Sequence, residues 1–176
     1  MNTPGSLIEF LFYLAPSLLI AGTAWWLIRS FLRRESALRI IEQKAGRERD
    51  MLPLRLQAYE RMTLYLERIS PATLLEREFE PGMTVADFRP RLISSIRLEF
   101  EHNLAQQIYL SAPLWQVIRN AKEEVVGMVI TSSSSLDPHL PAQELSKVLL
   151  TALMERKEIP TQRAIEILKA EVAQLF

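Results

Sequence analysis

The stretch FLFYLAPSLLIAGTAWWLI, residues 10–28, contains no charged side chain in nineteen consecutive positions. Folded as an α-helix it is about 28 Å long, close to the roughly 30 Å hydrocarbon core of a bilayer. A run of this length and polarity favours a single transmembrane helix. The sequence therefore predicts a membrane span over residues 10–28, preceded by a short extracytoplasmic head at residues 1–9.

The carboxyl end of this span carries residue types that are typical of a membrane–water interface. Trp25 and Trp26 lie one turn before Arg29, and Arg33 and Arg34 follow. An indole ring rests its apolar body against acyl chains and its N–H among the headgroups, while arginine side chains extend toward water. We expect these five residues to lie at the membrane interface.

The distribution of Lys and Arg predicts the orientation of the span. Residues 1–9 hold no basic residue, whereas residues 29–49 hold seven. Because basic flanks stay on the cytoplasmic side, we expect an inner-membrane protein with its amino terminus outside and its carboxyl-terminal domain in the cytoplasm. The alternative, a signal peptide cleaved after Gly22-Thr23-Ala24, lacks the basic amino-terminal region and the shorter apolar core that such peptides need.

The chain after the span keeps a helical repeat. Leu38, Ile41 and Ala45 recur at helical spacing, which predicts a basic juxtamembrane stalk over residues 29–50. Gly46 and Pro53 predict a break in the helix at the end of this stalk. The predicted fold is therefore all-α, with one N-terminal transmembrane helix followed by a cytoplasmic bundle of about five to six helices over residues 51–176.

Caps and prolines indicate where the helices of the bundle begin. We expect the serine run at residues 132–135 to be a loop, and residues 106–110 are too short to classify. The predicted starts are Ser70-Pro71, the capping box of Thr84 and Asp87, Ser111-Ala112-Pro113, Ala142, and Pro160-Thr161.

Composition excludes several classes of site. The chain has no cysteine, which rules out disulfides and every thiolate site, and its 5 glycines are scattered singly, so no phosphate-binding glycine loop is present. Residues 51–176 hold fourteen basic and sixteen acidic residues, a balance that argues against nucleic-acid binding. We expect no cofactor and no small-molecule substrate.

The residues with catalytic or metal-binding chemistry form no convincing site. Glu99 and His102 share one helical face, but a di-iron site needs a second such pair and two further glutamates. The acidic groups Glu123-Glu124 and Glu76, Glu78 and Glu80 are expected to be solvated helix faces. The sequence therefore predicts no catalytic residue, no metal ligand and no enzyme activity.

Three segments carry a resemblance to a known family: LPLRLQAYERMTLYLERISP at residues 52–71, EFEHNLAQQIYLS at residues 99–111, and Trp115 with IRNAKEE at residues 118–124. The chain resembles an uncharacterised family of single-span, all-helical membrane proteins from the Bacteroidota, over most of its length. The resemblance implies a shared anchored helical domain and supplies no catalytic residues.

The same segments mix polar and apolar residues, which leaves two interpretations open. The polar residues are either solvated faces with ordinary salt bridges or a face that binds a partner, with aromatic anchors typical of interface hot spots. The candidate partner face consists of Arg61, Arg68, His102, Gln106, Tyr109 and Trp115.

The sequence thus favours a membrane-anchored, non-enzymatic interaction or scaffold protein that binds the lipid bilayer and either a protein partner or a second copy of itself. Two alternatives stay open. One is a regulator that senses anionic lipid, since each Lys or Arg near an anionic surface is worth about 1 kcal/mol. Its basic residues in the juxtamembrane helix are Arg33, Arg34, Arg39, Lys44, Arg47 and Arg49. The other is an enzyme of unrecognised type.

Overall fold

The computed structural model describes the backbone of residues 5–175. Side chains are described for residues 14, 16, 18–30 and 49–175. The chain divides into two compact units, Met1–Met51 and Leu52–Phe176. The second unit begins one residue after the predicted start of the bundle.

Throughout the described backbone the regular structure is helical, which confirms the predicted all-α class. One isolated antiparallel bridge joins Thr84 and Pro141. In chain order the elements are α1 (Gly5–Arg68), α2 (Pro71–Glu78), α3 (Val85–Asn103), a first 3₁₀ helix (Leu104–Ile108), α4 (Ala112–Ser134), α5 (Ala142–Met154), α6 (Pro160–Val172) and a second 3₁₀ helix (Ala173–Leu175).

Helix α1 is continuous over 64 residues, so the predicted break between the stalk and the bundle is wrong. Gly46 and Pro53 disfavour a helix interior by about 1 and about 3 kcal/mol relative to alanine. The residues around them are mostly Arg, Glu, Leu, Ala and Gln, which are good helix formers. Because helix propagation is cooperative, two isolated weak positions do not end the helix.

In the first unit, the apolar side chains of α1 that the structure describes are exposed. Trp25 and Trp26 are 67% and 68% exposed, and Arg29 is also exposed. Among the residues with described side chains, no helix combines the length and the apolar character needed to cross a bilayer. Within the predicted span, the side chains of residues 10–13, 15 and 17 lie outside the described set, as do those of Arg33 and Arg34.

The second unit is built around α4, which packs against α3, α5 and α6. Its core follows the apolar stripes of the sequence, because residues three or four apart share one face of a helix. Each large buried side chain removes enough apolar surface from water to stabilise the fold by about 1.5–3 kcal/mol. The largest are Tyr65, Phe88, Met62, Leu66, Ile69, Leu74, Leu92, Ile96, Leu114, Ile118, Leu145 and Leu149.

The start of α3 is fixed by its own cap and by the loop that precedes α5. Thr84 accepts a hydrogen bond from the Asp87 amide at 3.3 Å and donates its own amide to the Asp87 carboxylate at 3.1 Å, which confirms the predicted capping box. Ala86 N–H donates to the Pro138 carbonyl at 3.0 Å. The first turn of α3 is therefore satisfied partly by a distant loop.

Two further predictions are corrected by the second unit. The serine run is the last turn of α4, with Ser132 and Ser133 buried. The hydroxyls of Ser133 and Ser134 donate to carbonyls three residues earlier at 2.9 and 2.7 Å, which satisfies them inside a helix. The unclassified segment at residues 106–110 belongs mostly to the first 3₁₀ helix.

Candidate functional site

The six predicted partner-face residues lie on or next to four elements of the second unit: α1, α3, the first 3₁₀ helix and α4. Arg61 and Arg68 are exposed on α1, and His102 is exposed at the end of α3. Gln106 and Tyr109 are half-buried in and directly after the first 3₁₀ helix, and Trp115 is half-buried near the start of α4.

Trp115 and Arg68 both contact residues near the carboxyl end of α3. Trp115 stacks on Phe100 with ring centroids 5.3 Å apart, and Phe100 also contacts Tyr65 of α1 at 5.9 Å. Next to Phe100, Glu99 forms an ion pair with Arg68, with 2.6 Å between the charged atoms. We call the three aromatic residues with Glu99 and Arg68 the aromatic junction, because they join α1, α3 and α4.

Lys122 completes this junction on the side of α4. Its ammonium lies 4.5 Å from the Phe100 ring centroid, within the range of a cation–π contact, and 2.8 Å from Glu123. Trp115 is half-buried, so it packs on the core and keeps part of its ring at the surface.

The Tyr65 hydroxyl in the junction is buried and has no hydrogen-bond partner among the described residues. Burial raises the pKa of Tyr65 well above its usual range, and the charges of Glu123 and Glu99 raise it further. Burial therefore favours the protonated phenol. A buried hydroxyl without a hydrogen-bond partner is unfavourable, so Tyr65 is a weak point of the junction.

Glu78 forms a second polar centre between α2 and α3, and the expectation that it is solvated is wrong. Its side chain is 15% exposed and accepts from Arg77 at 2.9 Å, Arg91 at 3.2 Å and Ser95 at 2.8 Å. Burial acts to raise the pKa of Glu78, but the hydrogen bonds from these residues outweigh it and lower the pKa. Glu76, in contrast, is exposed as expected.

Glu171 on α6 holds a third polar centre that the sequence did not reveal. Its carboxylate accepts from the Tyr59 hydroxyl at 2.7 Å, from the Ser111 amide at 3.2 Å and from the Ser111 hydroxyl. Arg55 donates to the Tyr59 hydroxyl at 3.0 Å. The carboxylate thereby ties α6 to α1 and to the cap of α4.

The charge of Glu171 is stabilised by these contacts. Burial acts to raise its pKa, but the hydrogen bonds from Ser111 and Tyr59 outweigh it, so the pKa lies below its usual value. No spacing in the sequence signals this centre, because its members are 52 and 60 residues apart along the chain.

These centres hold helices together through hydrogen bonds and ion pairs. Among the described residues, no group of three or more His, Asp or Glu side chains is arranged to hold a metal ion. The Glu99 carboxylate is paired with Arg68, and His102 is exposed. The residues that sequence reasoning missed at the surface are Leu104 and Ile108, which are 44% and 72% exposed on the 3₁₀ helix between His102 and Tyr109.

The arrangement is therefore a mixed surface in which exposed apolar side chains lie among half-buried aromatic and amide groups. No curated protein and no solved structure matches the chain. A family model for proteins of unknown function (DUF7935) matches residues 5–175, nearly the whole length. The chain therefore belongs to this family of unknown function.

Proposed function

We propose that the chain is a membrane-anchored, non-enzymatic interaction protein of the inner membrane, whose helical bundle binds a protein partner on the cytoplasmic side. The observation that carries the anchor is the surface of α1 in the first unit. Trp25, Trp26, Leu27 and Ile28 are consecutive and all exposed, and four consecutive residues make one full helical turn, so apolar groups point to every side of the helix. A helix that is apolar all round requires an apolar environment.

The binding function is supported by the surface beside the aromatic junction. Five residues within positions 104–115, a segment that starts with the 3₁₀ helix, are exposed or half-buried: Leu104, Gln106, Ile108, Tyr109 and Trp115. Interfaces place aromatic and aliphatic anchors inside a polar rim, and Tyr and Trp dominate their energetics. We call these five residues the 3₁₀ face.

The anchor is tested in cells with the full chain. Alkaline carbonate washing should leave the protein in the membrane fraction, and a reporter that works only in the cytoplasm should be active when fused to Phe176. Release by carbonate, or activity of a periplasmic reporter at the same position, contradicts the anchor or its orientation.

The 3₁₀ face is tested by placing a photo-crosslinking residue at Ile108 in the full chain. A discrete adduct should form and should disappear when Trp115 is replaced by alanine. Met154, which is 86% exposed at the end of α5, is the matched control position and should give no such adduct. No adduct at Ile108, or an equal one at Met154, contradicts the assignment of this face.

The lipid-sensing alternative is favoured by the seven basic residues at positions 29–49. It predicts a conformational or binding response that depends on the share of anionic lipid in nanodiscs and weakens steeply with salt. A response equal in zwitterionic nanodiscs argues for a basic flank that only sets orientation.

A further inference from the structure

The outer side of α3 carries an open groove of about 750 Å³ in the second unit. Its floor is largely apolar, with Pro90, Ile93 and Leu98 among the lining side chains, and Pro138 closes one side. Leu98 is 52% exposed. Pro90 lacks an N–H, so the carbonyl of Ala86 in the same groove loses its usual helical donor.

Two arginine side chains of α3 line the groove. Arg89 and Arg97 line it and lie eight residues apart, about 12 Å along the helix axis. Within the described part of the chain, neither guanidinium has a carboxylate within 4.0 Å, whereas the neighbouring Arg91 pairs with Glu78 and Glu80. The groove therefore presents two guanidiniums that form no ion pair among the described residues, beside apolar side chains, and Glu101 also lines it.

The outer face of α1 offers the complementary pattern. Glu60 and Glu67 are exposed and seven residues apart, about 10.5 Å along the axis, with Leu64 between them at 56% exposure. Among the described residues, neither carboxylate has a basic side chain within 4.0 Å. Arg61, the next residue after Glu60, is also exposed but lies about 100° around the helix from it.

We propose that a second copy of the chain docks its Glu60–Leu64–Glu67 face in the α3 groove. The two carboxylates are opposite in charge to the two guanidiniums and have a similar spacing along the helix axis. Leu64 then covers the apolar side chains of Ile93 and Leu98. A two-fold dimer makes this contact twice, since each copy carries both surfaces. The inference goes beyond the proposed function, because it uses residues other than the 3₁₀ face, and it does not require the membrane anchor.

Charge reversal tests the match in the full chain, purified in mild detergent, by sedimentation velocity. R89E/R97E and E60R/E67R should each weaken self-association by about tenfold or more, because each places like charges in contact. An equimolar mixture of the two variants should restore association, since every contact is then between opposite charges. The wild-type association should also weaken as salt is raised. Arg119→Glu on the exposed surface of α4 is the control and should associate as the wild type does.

A wild-type chain that stays monomeric at all concentrations overturns the proposal. So does a mixture that fails to associate while both variants keep the wild-type melting temperature. If the chain is monomeric and R89E/R97E instead abolishes binding to vesicles of phosphatidylglycerol, the groove binds lipid headgroups and the dimer is wrong. The crosslinking experiment at Ile108 tests the proposed interaction function separately. If the dimer is wrong but Ile108 still crosslinks to a different protein, the proposed interaction function stands.

Discussion

The two units of this chain use similar apolar residues in opposite ways. In the second unit, apolar residues recur every three or four positions and are buried, as with Val85, Phe88 and Leu92 in α3. In the first unit, apolar residues are consecutive and exposed, as with Leu27 and Ile28. The difference shows that the spacing of apolar residues, more than their number, decides whether the apolar face of a helix can be buried against other helices of a bundle.

The largest expected effect is in the core of the second unit. Phe88→Ala removes a fully buried ring that also contacts Phe79, and should lower the free energy of unfolding by about 3–5 kcal/mol. Leu19→Ala is the matched truncation in the first unit and should leave the unfolding of the bundle unchanged. Chemical denaturation of the full chain in detergent measures both. Equal destabilisation by the two changes contradicts the contrast between the units.

A charge in the first unit tests its environment directly. Leu19→Arg should disfavour insertion of the predicted span by about 3 kcal/mol, because a charged side chain at the centre of a bilayer is costly. Leu64→Arg, on an exposed position of α1 in the second unit, is the control and should leave the membrane fraction unchanged. Fractionation with carbonate washing measures the outcome. Loss from the membrane with both variants, or with neither, argues against residues 10–28 as the anchor.

The next effect concerns the polar centre at Glu171. Glu171→Gln loses charge-assisted hydrogen bonds with Tyr59 and Ser111 and should destabilise the second unit by about 1–3 kcal/mol at neutral pH. Glu166→Gln, exposed on the same helix, should change little.

The effect of Glu171 should also depend on pH. Because its folded pKa lies below the unfolded value near 4.5, the carboxylate contributes its full stability above that value. The contribution is lost as the pH falls through the lower, folded pKa. The difference in melting temperature between wild type and Glu171→Gln should therefore narrow below about pH 4.5. A constant difference down to pH 2 contradicts the assigned contacts.

The smallest effect is at Tyr65 in the aromatic junction. Tyr65→Phe removes a buried hydroxyl that has no partner among the described residues and keeps the ring against Phe100. We expect a change of about 0–1 kcal/mol in the stabilising direction. Thermal unfolding monitored by circular dichroism measures it. A clear loss of stability shows that the hydroxyl has a partner in solution.

Local signals in the sequence predicted the helices well where one short segment contains all the information. The capping box of Thr84 and Asp87 and the cap at Ser111 depend on residues three positions apart, so both could be identified directly. The predictions failed where a local signal was outweighed. Gly46 and Pro53 do not interrupt α1, and the serine run completes α4 because its hydroxyls bond to the helix itself.

The sequence by itself determined the all-α class, the inward stripes of the helices and the uncharged run at residues 10–28, because each follows from the periodicity or composition of one segment. Only the tertiary structure decided which polar residues meet, such as Glu171 with Tyr59 and Ser111, or Glu78 with Arg91. The physical reason is distance along the chain: a carboxylate finds a donor dozens of residues away only after the apolar stripes have packed the helices together.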